Sequence, residues 1–381
     1  MRRSTDKILT THVGALPGDE AVWTGQAPEA QVLQAVAEVI ALQRDAGVDI
    51  VNEGELTKGG NWLTFVTDRL TGFEPRQTGA TGRLLTQSAD WAEFDQFYAA
   101  AMSHGVLFED TGTAPGQGRV TDWVCSGPIE YRGHAAVERE IAILKGALGD
   151  RPASDAFLTS TAPASIEAGR INEHYESEEA FVFALADALS VEYEIIAKSG
   201  LILQVDDAWL AALWDRIGIG MGPEGYKRYC MLRVEALNHA LRNIPEEQVR
   251  HHMCWGSWHG PHAHDIPLPD MVEVLLAIKA QTYLIEAANV RHEHEAEVWE
   301  QVKLPQGKIL APGVVSHSTK LIEHPELVSA RIQRFARMVG RENVIASTDC
   351  GLGLRCHPQI AWAKLKALSE GAALASRALG Y

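Results

Sequence analysis

The run EEAFVFALADALSVEYEIIAKSGLILQVDD, residues Glu178–Asp207, contains one complete helix-to-strand unit and indicates how the chain folds. Apolar residues recur at spacings of three and four through Glu178–Ser199, with Ser177 placed to cap this helix and Gly200 placed to end it. The apolar run Leu201–Val205 follows at once and is typical of a buried parallel strand. The pattern therefore predicts a long amphipathic helix that leads directly into a strand.

Short apolar runs alternate with helical patterns along the whole chain. The eight runs that we predict as barrel strands are Ile8–Val13, Val48–Asn52, Ala156–Ser160, Leu201–Val205, Arg250–Cys254, Thr282–Ala287, Lys308–Gly313 and Asn343–Thr348. Alternating strands and helices predict a parallel sheet, and eight such strands favour a closed barrel over an open sheet. We therefore predict an α/β fold, a single (β/α)8 TIM barrel that forms one domain over residues 1–381.

Residues 71–132 do not fit the repeating unit. A ninth strand-like run, Trp123–Tyr131, lies in this range, and residues 71–121 are rich in Gly, Thr and Gln without a clean period. We expect residues 71–132 to be an excursion from the barrel, inserted between its second and third strands.

Composition and charge narrow the classes of partner. The formal net charge of −16 argues against nucleic acid and anionic membrane as partners. No apolar run approaches the roughly 20 residues that span a bilayer, and the N-terminus shows no signal-peptide core, so we expect a cytoplasmic protein.

The five scattered cysteines do not suggest a disulfide framework, which leaves buried thiols or metal ligands as the roles of these residues. Assembly into a homo-oligomer is compatible with all of these features.

Reactive side chains fall at the C-terminal ends of the predicted strands, where the active sites of barrels lie. The groups at these ends are His12, Glu53, Glu55, Asp206, Asp207, His252, Cys254, Glu286, His317, Asp349 and Cys350. Seven of the eight strand ends carry at least one such group, which a random placement of polar residues would not produce. The sequence therefore predicts an active site at this end of the barrel.

Four of these groups have the spacing of a metal site. His252 and Cys254 are two apart on one strand, so both side chains point inward. Glu286 follows one αβ unit later and Cys350 two units after that, so the four converge from three strands. Imidazole nitrogen, thiolate sulfur and carboxylate oxygen are the usual ligands of zinc. We therefore predict one Zn²⁺ ion bound by His252, Cys254, Glu286 and Cys350.

This ligand set favours one kind of chemistry. Two sulfurs, one nitrogen and one carboxylate make zinc a poor Lewis acid for water, but they leave a bound thiolate nucleophilic. We therefore predict an enzyme in which a zinc-bound thiolate attacks an activated carbon, which is alkyl transfer to a thiol. Glu286 is the ligand that we expect an arriving thiol to displace, because a hard carboxylate binds zinc least firmly of the four.

Three motifs resemble, in order, the zinc signature of the cobalamin-independent methionine synthase superfamily. They are His252-Met253-Cys254, Ile285-Glu286 and Asp349-Cys350-Gly351-Leu352. The segment Gly313–Ser318 is similar to the family segment that carries a proton-donating histidine, which implies that His317 is a catalytic acid. Gln204-Val205-Asp206 and Gly54-Glu55 resemble the acidic positions that contact substrate in this family, which implies substrate contacts for Asp206 and Glu55.

Longer strings resemble the short, single-barrel members related to epoxyalkane:coenzyme M transferase. These strings are Thr10–Gly14, Cys254–His262, Ile285–Asn289 and Arg291–Glu295. The resemblance implies a small-molecule thiol and either an alkyl donor or an epoxide, with His12, Asn289 and Arg291 in the substrate site. Arg291 begins the charged run Arg291–Glu297, which is typical of a solvated helix start; the alternative is that Arg291 steers an anionic group such as a carboxylate or sulfonate. The 381 residues do not include the second barrel that helps the full synthase bind its folate donor, so the donor stays open.

Two other classes of barrel compete with this interpretation. A metal-free barrel similar to uroporphyrinogen decarboxylase would use the same strand ends for a tetrapyrrole, but it leaves the His252–Cys254 pair unexplained. A metal-dependent hydrolase of the amidohydrolase kind would need His-x-His on the first strand, where only His12 occurs. We interpret His259, His262 and His264 as part of a polar loop, His292 and His294 as part of a solvated helix start, and Cys356 as a bystander.

Overall fold

The computed structural model describes residues 1–58, 64–79, 87–104, 122–353 and 355–381. Its strands are β1 Leu9–Thr10, β2 Phe73–Arg76, β3 Asp122–Cys125, β4 Phe157–Thr161, β5 Arg170–Asn172, β6 Ile202–Asp207, β7 Val249–Met253, β8 Thr282–Ile285, β9 Ile309–Val315 and β10 Ile345–Thr348. Seven of them form one curled parallel sheet in the order β1-β10-β9-β8-β7-β6-β4. Consecutive strands are therefore neighbours around the sheet, as in a barrel built from repeated βα units.

Residues around Val51 occupy the gap between β1 and β4. Val51 forms a parallel bridge with Ala156, and the Phe157 amide donates to the Val51 carbonyl at 3.0 Å. On the other side, the Ile50 amide donates to the Thr10 carbonyl, also at 3.0 Å. The predicted α/β barrel is confirmed, although the predicted strand Val48–Asn52 shrinks to this single bridge. Its pairing ends early because the backbone turns at Gly54, which has a φ of +72°.

Helices cover the outside of the sheet. In the described residues they are α1 Glu20–Trp23, α2 Glu29–Asp45, α3 Thr64–Asp68, α4 Ala89–Glu93, α5 Asp95–His104, α6 His134–Leu148, α7 Pro163–Glu167, α8 Glu178–Lys198, α9 Ile219–Ala240, α10 Leu268–Ala277, α11 Val298–Gln301, α12 Pro325–Val339 and α13 Pro358–Ala378. Short 3-10 or π turns occupy Ala153–Asp155, Trp214–Gly218, Glu246–Gln248, Glu293–Glu297 and Arg341–Asn343. No helix in this part of the chain is both long and apolar enough to cross a membrane.

The capping residues act as the sequence predicts. The Ser177 hydroxyl accepts a hydrogen bond from the Ala180 amide at 3.1 Å, which satisfies one free donor of the first turn of α8. Gly200, with a φ of +85°, follows the last turn and redirects the chain into β6. The predicted helix Glu178–Ser199 is therefore confirmed to within one residue at its C-terminal end.

A second, smaller sheet lies apart from the barrel strands, in the order β2-β3-β5. β2 runs antiparallel to β3, and β3 runs parallel to β5. Both β2 and β3 fall within residues 71–132, of which 80–86 and 105–121 lie outside the described residues. The predicted ninth strand Trp123–Tyr131 is wrong in length, because pairing stops at Cys125, just before Gly127 and Pro128.

Two apolar clusters fill the fold. The larger one packs between the sheet and the surrounding helices. The smaller one brings together residues that the parallel strands turn toward the lumen, namely Leu9, Val13, Ile50, Phe157, Ile202, Leu284, Ile309, Ala311 and Ile345. This packed lumen supports the polar side chains that follow at the C-terminal strand ends.

Candidate metal centre and active site

Three of the four predicted metal ligands meet at one end of the barrel. His252 is near the end of β7, Cys254 follows β7, and Cys350 follows β10. One ligand atom from each residue lies within 4.8 Å of those of the other two. The two Sγ atoms are 4.0 Å apart, far beyond a disulfide bond but close to the roughly 3.8 Å between two thiolates on a tetrahedral zinc ion.

The His252 imidazole is oriented by a carboxylate. Its Nδ1 donates to Asp206 Oδ1 at 3.1 Å, while its Nε2 is buried and has no hydrogen-bond partner among the described residues. Burial opposes a charged ring, but the bond to Asp206 and nearby negative charge leave the pKa of His252 raised. A histidine that donates one ring nitrogen to a carboxylate and keeps the other free is the usual arrangement of a metal ligand.

The two thiols form a hydrogen bond. The Cys254 thiol hydrogen-bonds to Cys350 and, together with His252, lowers the pKa of Cys350 to about 7 despite burial. The same bond, with burial, raises the pKa of Cys254 well above its ordinary value. A buried sulfur pair that readily loses its first proton has the donor chemistry that zinc requires, so these residues fit the ion.

Glu286, the fourth predicted ligand, belongs to a neighbouring cluster. Its Oε1 accepts from the Trp255 amide at 3.1 Å, and its Oε2 accepts from Asn289 Nδ2 at 2.7 Å and Arg291 Nη2 at 2.8 Å. The possible metal-binding side chains that lie close to its carboxylate are His317 and Asp349 rather than the two thiols. Burial would raise the pKa of Glu286, but Arg291 holds it below its ordinary value. The carboxylate is thus ionised and held by three donors.

Asn289 joins the two carboxylates of this second cluster. Its Nδ2 donates to Asp349 Oδ2 at 3.1 Å as well as to Glu286. Asp349 Oδ1 accepts from two consecutive backbone amides, Ala287 and Ala288, at 2.8 Å each. Burial raises the pKa of Asp349 to about 7. Gly313 lies against this carboxylate so closely that any Cβ there would collide with it.

The predicted catalytic acid, His317, is buried beside Glu286. Burial lowers the pKa of His317 to about 3, so the ring is neutral, and its Nδ1 has no hydrogen-bond partner within the described part of the chain. Its loop is held in place because Glu323 accepts from the Ser316 amide at 2.8 Å and pairs with the buried Lys364 at 2.9 Å. The Cys356 thiol donates to the His317 carbonyl at 3.6 Å.

Two predicted substrate-binding carboxylates lie close together. Burial raises the pKa of Glu55, and the negative charge of Asp206 raises it further, to about 8. Glu55 has a φ of +62°, which is rare for a residue with a Cβ, and its carboxylate lies against the Cα of Gly14. Such backbone strain persists where the surrounding structure fixes it, and it concentrates at functional sites.

The other predicted substrate-binding residues are largely engaged within the protein. His12 Nε2 bonds to Gln43 Oε1 at 2.8 Å, and its ring packs edge-on against Phe157. Asn289 bridges the two carboxylates described above. Arg291 forms ion pairs with both Glu286 and Asp265, which leaves only 12% of its side chain exposed. The structure therefore places Arg291 against protein carboxylates rather than in open space.

Asp265 connects the loop after β7 with the segment after β8. It accepts from His262 Nδ1 at 3.1 Å, pairs with Arg291, and lies 3.3 Å from His292 Nε2. Despite burial, the hydrogen bonds from the two imidazoles and the charge of Arg291 hold the pKa of Asp265 well below its ordinary value. His262 lies in the predicted polar loop, and His292 directly precedes the turn Glu293–Glu297. Both side chains are buried, so the expectation of a solvated helix start is wrong for His292. No local pattern signals this network, because its members come from two different loops.

The fold and the site together define an α/β-barrel protein with two thiols and one imidazole gathered at the C-terminal ends of its strands. Residues 133–373 match the family model for the cobalamin-independent synthase catalytic domain. The chain belongs to this family, as its three motifs indicated.

Named relatives agree with this assignment. The chain is 24% identical over 253 residues to a methionine synthase from Pyrococcus furiosus, a match that covers 63% of this chain. It is 25% identical over 228 residues, 52% of its length, to a 2-hydroxypropyl-CoM lyase from Xanthobacter autotrophicus. The matches span 66% and 55% of these relatives' own lengths.

A solved structure confirms the fold. It is a B12-independent methionine synthase from Shewanella sp. W3-18-1, in complex with selenomethionine. The two chains superpose with a TM-score of 0.72 at 18% identity, over 98% of this chain and 99% of the other.

Proposed function

We propose that the protein is a zinc-dependent enzyme that transfers a methyl or other alkyl group to a small-molecule thiol. The observation that carries this proposal is the convergence of His252 Nε2, buried and without a described partner, with two thiols whose sulfurs lie 4.0 Å apart. When bound, zinc keeps a thiol deprotonated at neutral pH. The names of the relatives, methionine synthase and 2-hydroxypropyl-CoM lyase, support chemistry at a thiol.

His252, Cys254 and Cys350 would hold the ion, and Asp206 would orient His252. Glu286 is the proposed fourth ligand in the absence of substrate. Its three hydrogen-bond donors, the Trp255 amide, Asn289 and Arg291, give the carboxylate a stable position once a substrate thiol takes its place. This arrangement suits a ligand that must leave and return without a large cost in free energy.

The carboxylates of Glu55 and Asp206 indicate the class of thiol. Two acidic groups beside a thiol site favour a substrate that carries an ammonium group, because the cation would relieve their mutual repulsion. A thiol amino acid of the homocysteine type meets this requirement, and a methyl donor is then the second substrate. A sulfonate thiol with an epoxide is the second candidate, supported by the relative named 2-hydroxypropyl-CoM lyase. The ion pairs of Arg291 make it a poor anchor for such a sulfonate.

His317 is the proposed proton carrier. Its Nδ1, which has no described partner, and its position beside the Glu286 carboxylate support this role. The negative charge of Glu286 favours the imidazolium once it forms. The same proton can then pass to the nitrogen or oxygen that leaves the transferred carbon. One proton thus moves from the thiol to the leaving atom, and none is lost to solvent.

Turnover with defined substrates tests this function. Zinc-loaded protein would be incubated with homocysteine or 2-mercaptoethanesulfonate, each with a panel of methyl donors and epoxides, and the thioether product measured by mass spectrometry. We expect product from homocysteine and a methyl donor, and none from the Cys254→Ser variant. Product formed equally by wild type and variant would contradict the proposal.

A further inference from the structure

Two layers of side chains are stacked in the barrel lumen along β6 and β7. The strand register places Gln204 opposite Arg250 and Asp206 opposite His252. Because residues two apart on a strand share a face, all four side chains point the same way, into the lumen. The lower pair, Gln204 and Arg250, is completely buried and lies directly beneath the pair that faces the metal site.

Hydrogen bonds connect these layers in a fixed direction. Arg250 Nε donates to Gln204 Oε1 at 2.7 Å, and Gln204 Nε2 donates to Asp206 Oδ1 at 2.7 Å. Asp206 Oδ1 in turn accepts from His252 Nδ1 at 3.1 Å. Guanidinium groups only donate, so Gln204 must present its oxygen to Arg250 and its NH2 group to Asp206. Asp206 can then only accept, which keeps the proton of His252 on Nδ1 and leaves Nε2 with a free lone pair.

Simple packing does not account for Arg250. Its other donors reach Thr11 Oγ1 at 2.9 Å and the His12 carbonyl at 2.6 Å, and its guanidinium lies 3.7 Å from the centre of the Phe157 ring. These partners are all neutral. Burying a guanidinium among neutral groups costs more free energy than an apolar side chain of similar volume would. The position is better explained by the orientation that Arg250 imposes on Gln204.

We propose that Arg250 is a positioning residue which, through Gln204 and Asp206, fixes the tautomer of His252 that binds a metal ion. This inference rests on the proposed zinc site. It extends that site to a residue whose described hydrogen bonds go to Gln204, Thr11 and the His12 carbonyl rather than to a proposed metal ligand. His252 is the ligand, Asp206 orients it, and the Arg250–Gln204 pair orients Asp206.

The hydrogen bonds that lead from Arg250 through Gln204 and Asp206 to His252 are called the relay below. Two substitutions test it. Gln204→Glu still accepts from Arg250 but cannot donate to Asp206, so it breaks the relay and keeps Arg250 bonded. Arg250→Met removes the first donor. For both, the zinc dissociation constant, measured by competition with a chromophoric chelator, should rise about 10–100-fold. The thiolate charge-transfer bands of the Co²⁺-loaded protein should shift. Arg250→Lys, which restores a donor, should recover part of the affinity.

Arg233→Met is the matched control. Arg233 is also buried, but it lies on α9 and bonds to Glu167 at 2.7 Å, away from the relay. It should lower the thermal stability and leave the zinc dissociation constant unchanged. If Arg250→Met does not fold, Gln204→Glu alone tests the relay, because this variant still offers Arg250 an acceptor. Folded relay variants that bind zinc as tightly as wild type would overturn the inference.

A failure of the proposed zinc site can be distinguished from a failure of the relay. If the wild type binds no zinc, the proposed function fails. The relay is then tested in metal-free protein from the 15N chemical shifts of His252. At a pH above the pKa of His252, we expect a proton fixed on Nδ1 in wild type and a mixture of tautomers in Gln204→Glu. The same tautomer distribution in both proteins would overturn the relay.

Discussion

Arg291 Nη2 donates to Glu286 Oε2 at 2.8 Å, and the two side chains are only 12% and 0% exposed. This pair therefore joins two charges that water barely reaches. Removing one partner of a buried pair leaves the other charge uncompensated, which typically costs about 3–5 kcal/mol. The relationship matters for function because Glu286 is also the proposed displaceable metal ligand.

The first prediction concerns Arg291→Met. We expect the metal-free variant to lose about 3–5 kcal/mol of unfolding free energy, measured by urea denaturation. Added zinc should restore part of the loss, because the ion supplies the positive charge that Glu286 has lost. The matched control is Arg331→Met, whose partner Glu293 is 37% exposed and which should lose much less. Equal losses in both variants would show that burial of the Arg291–Glu286 pair adds no stability, and no recovery with zinc would show that Glu286 does not respond to the metal.

The second prediction concerns Glu55→Gln. If Glu55 binds the ammonium group of the substrate, the variant should raise the KM for homocysteine by about tenfold or more, since a charged hydrogen bond contributes roughly 1.5–3 kcal/mol. The KM for 4-mercaptobutyrate, which lacks the ammonium group, should be the same in wild type and variant. A similar rise for both thiols would mean that Glu55 has only a structural role.

The third prediction is a pH dependence of stability in metal-free protein. Burial raises the pKa of Glu53 to about 7, with Lys58 opposing this. The folded state then holds a proton that the unfolded state releases above a pH of about 4.5, so stability falls as the pH rises from about 5 to 8. Glu53→Gln stays neutral throughout and should reduce this fall by up to about 3 kcal/mol.

The control for that experiment is Glu179→Gln, at an exposed glutamate on α8. It should leave the slope of unfolding free energy against pH unchanged. A slope in Glu53→Gln as steep as that of wild type would show that Glu53 is ionised in the folded protein at low pH.

The fourth prediction concerns His317→Asn. A positioned proton carrier typically contributes about 10²–10⁴-fold, so turnover should fall by about two orders of magnitude or more. Zinc content and thiol binding should persist, and poor leaving groups should slow more than good ones. A uniform slowing of all substrates, or loss of zinc, would instead assign His317 to orienting the metal site.

The sequence alone predicts the features that repeat along the chain and those that lie at strand ends. Alternating patterns predict the barrel, and the period of two on β7 brings His252 and Cys254 to one face. Spacing by whole βα units then adds Cys350, because parallel strands end at the same edge. These inferences need only local periodicity and the regular geometry of the barrel.

Features that depend on contacts between loops could not be read in this way. Asp265 meets His292 only because the loops after β7 and β8 fold against each other. The backbone amide of Trp255 reaches Glu286 from the loop after β7, a contact that no pattern around Glu286 indicates. The Arg250–Gln204 contact depends on the register between two strands, and a shift by one residue would abolish it.

The most direct test of the account is the metal content of purified wild type and three cysteine variants. We expect about one zinc per chain in wild type and in Cys356→Ser, whose thiol donates to the backbone carbonyl of His317 and is not one of the proposed zinc ligands. Cys254→Ser and Cys350→Ser should each lose the ion, because a hydroxyl is not ionised at neutral pH as a thiolate is. Full zinc retention in both of these variants, or no zinc in the wild type under metal-replete conditions, would contradict the account.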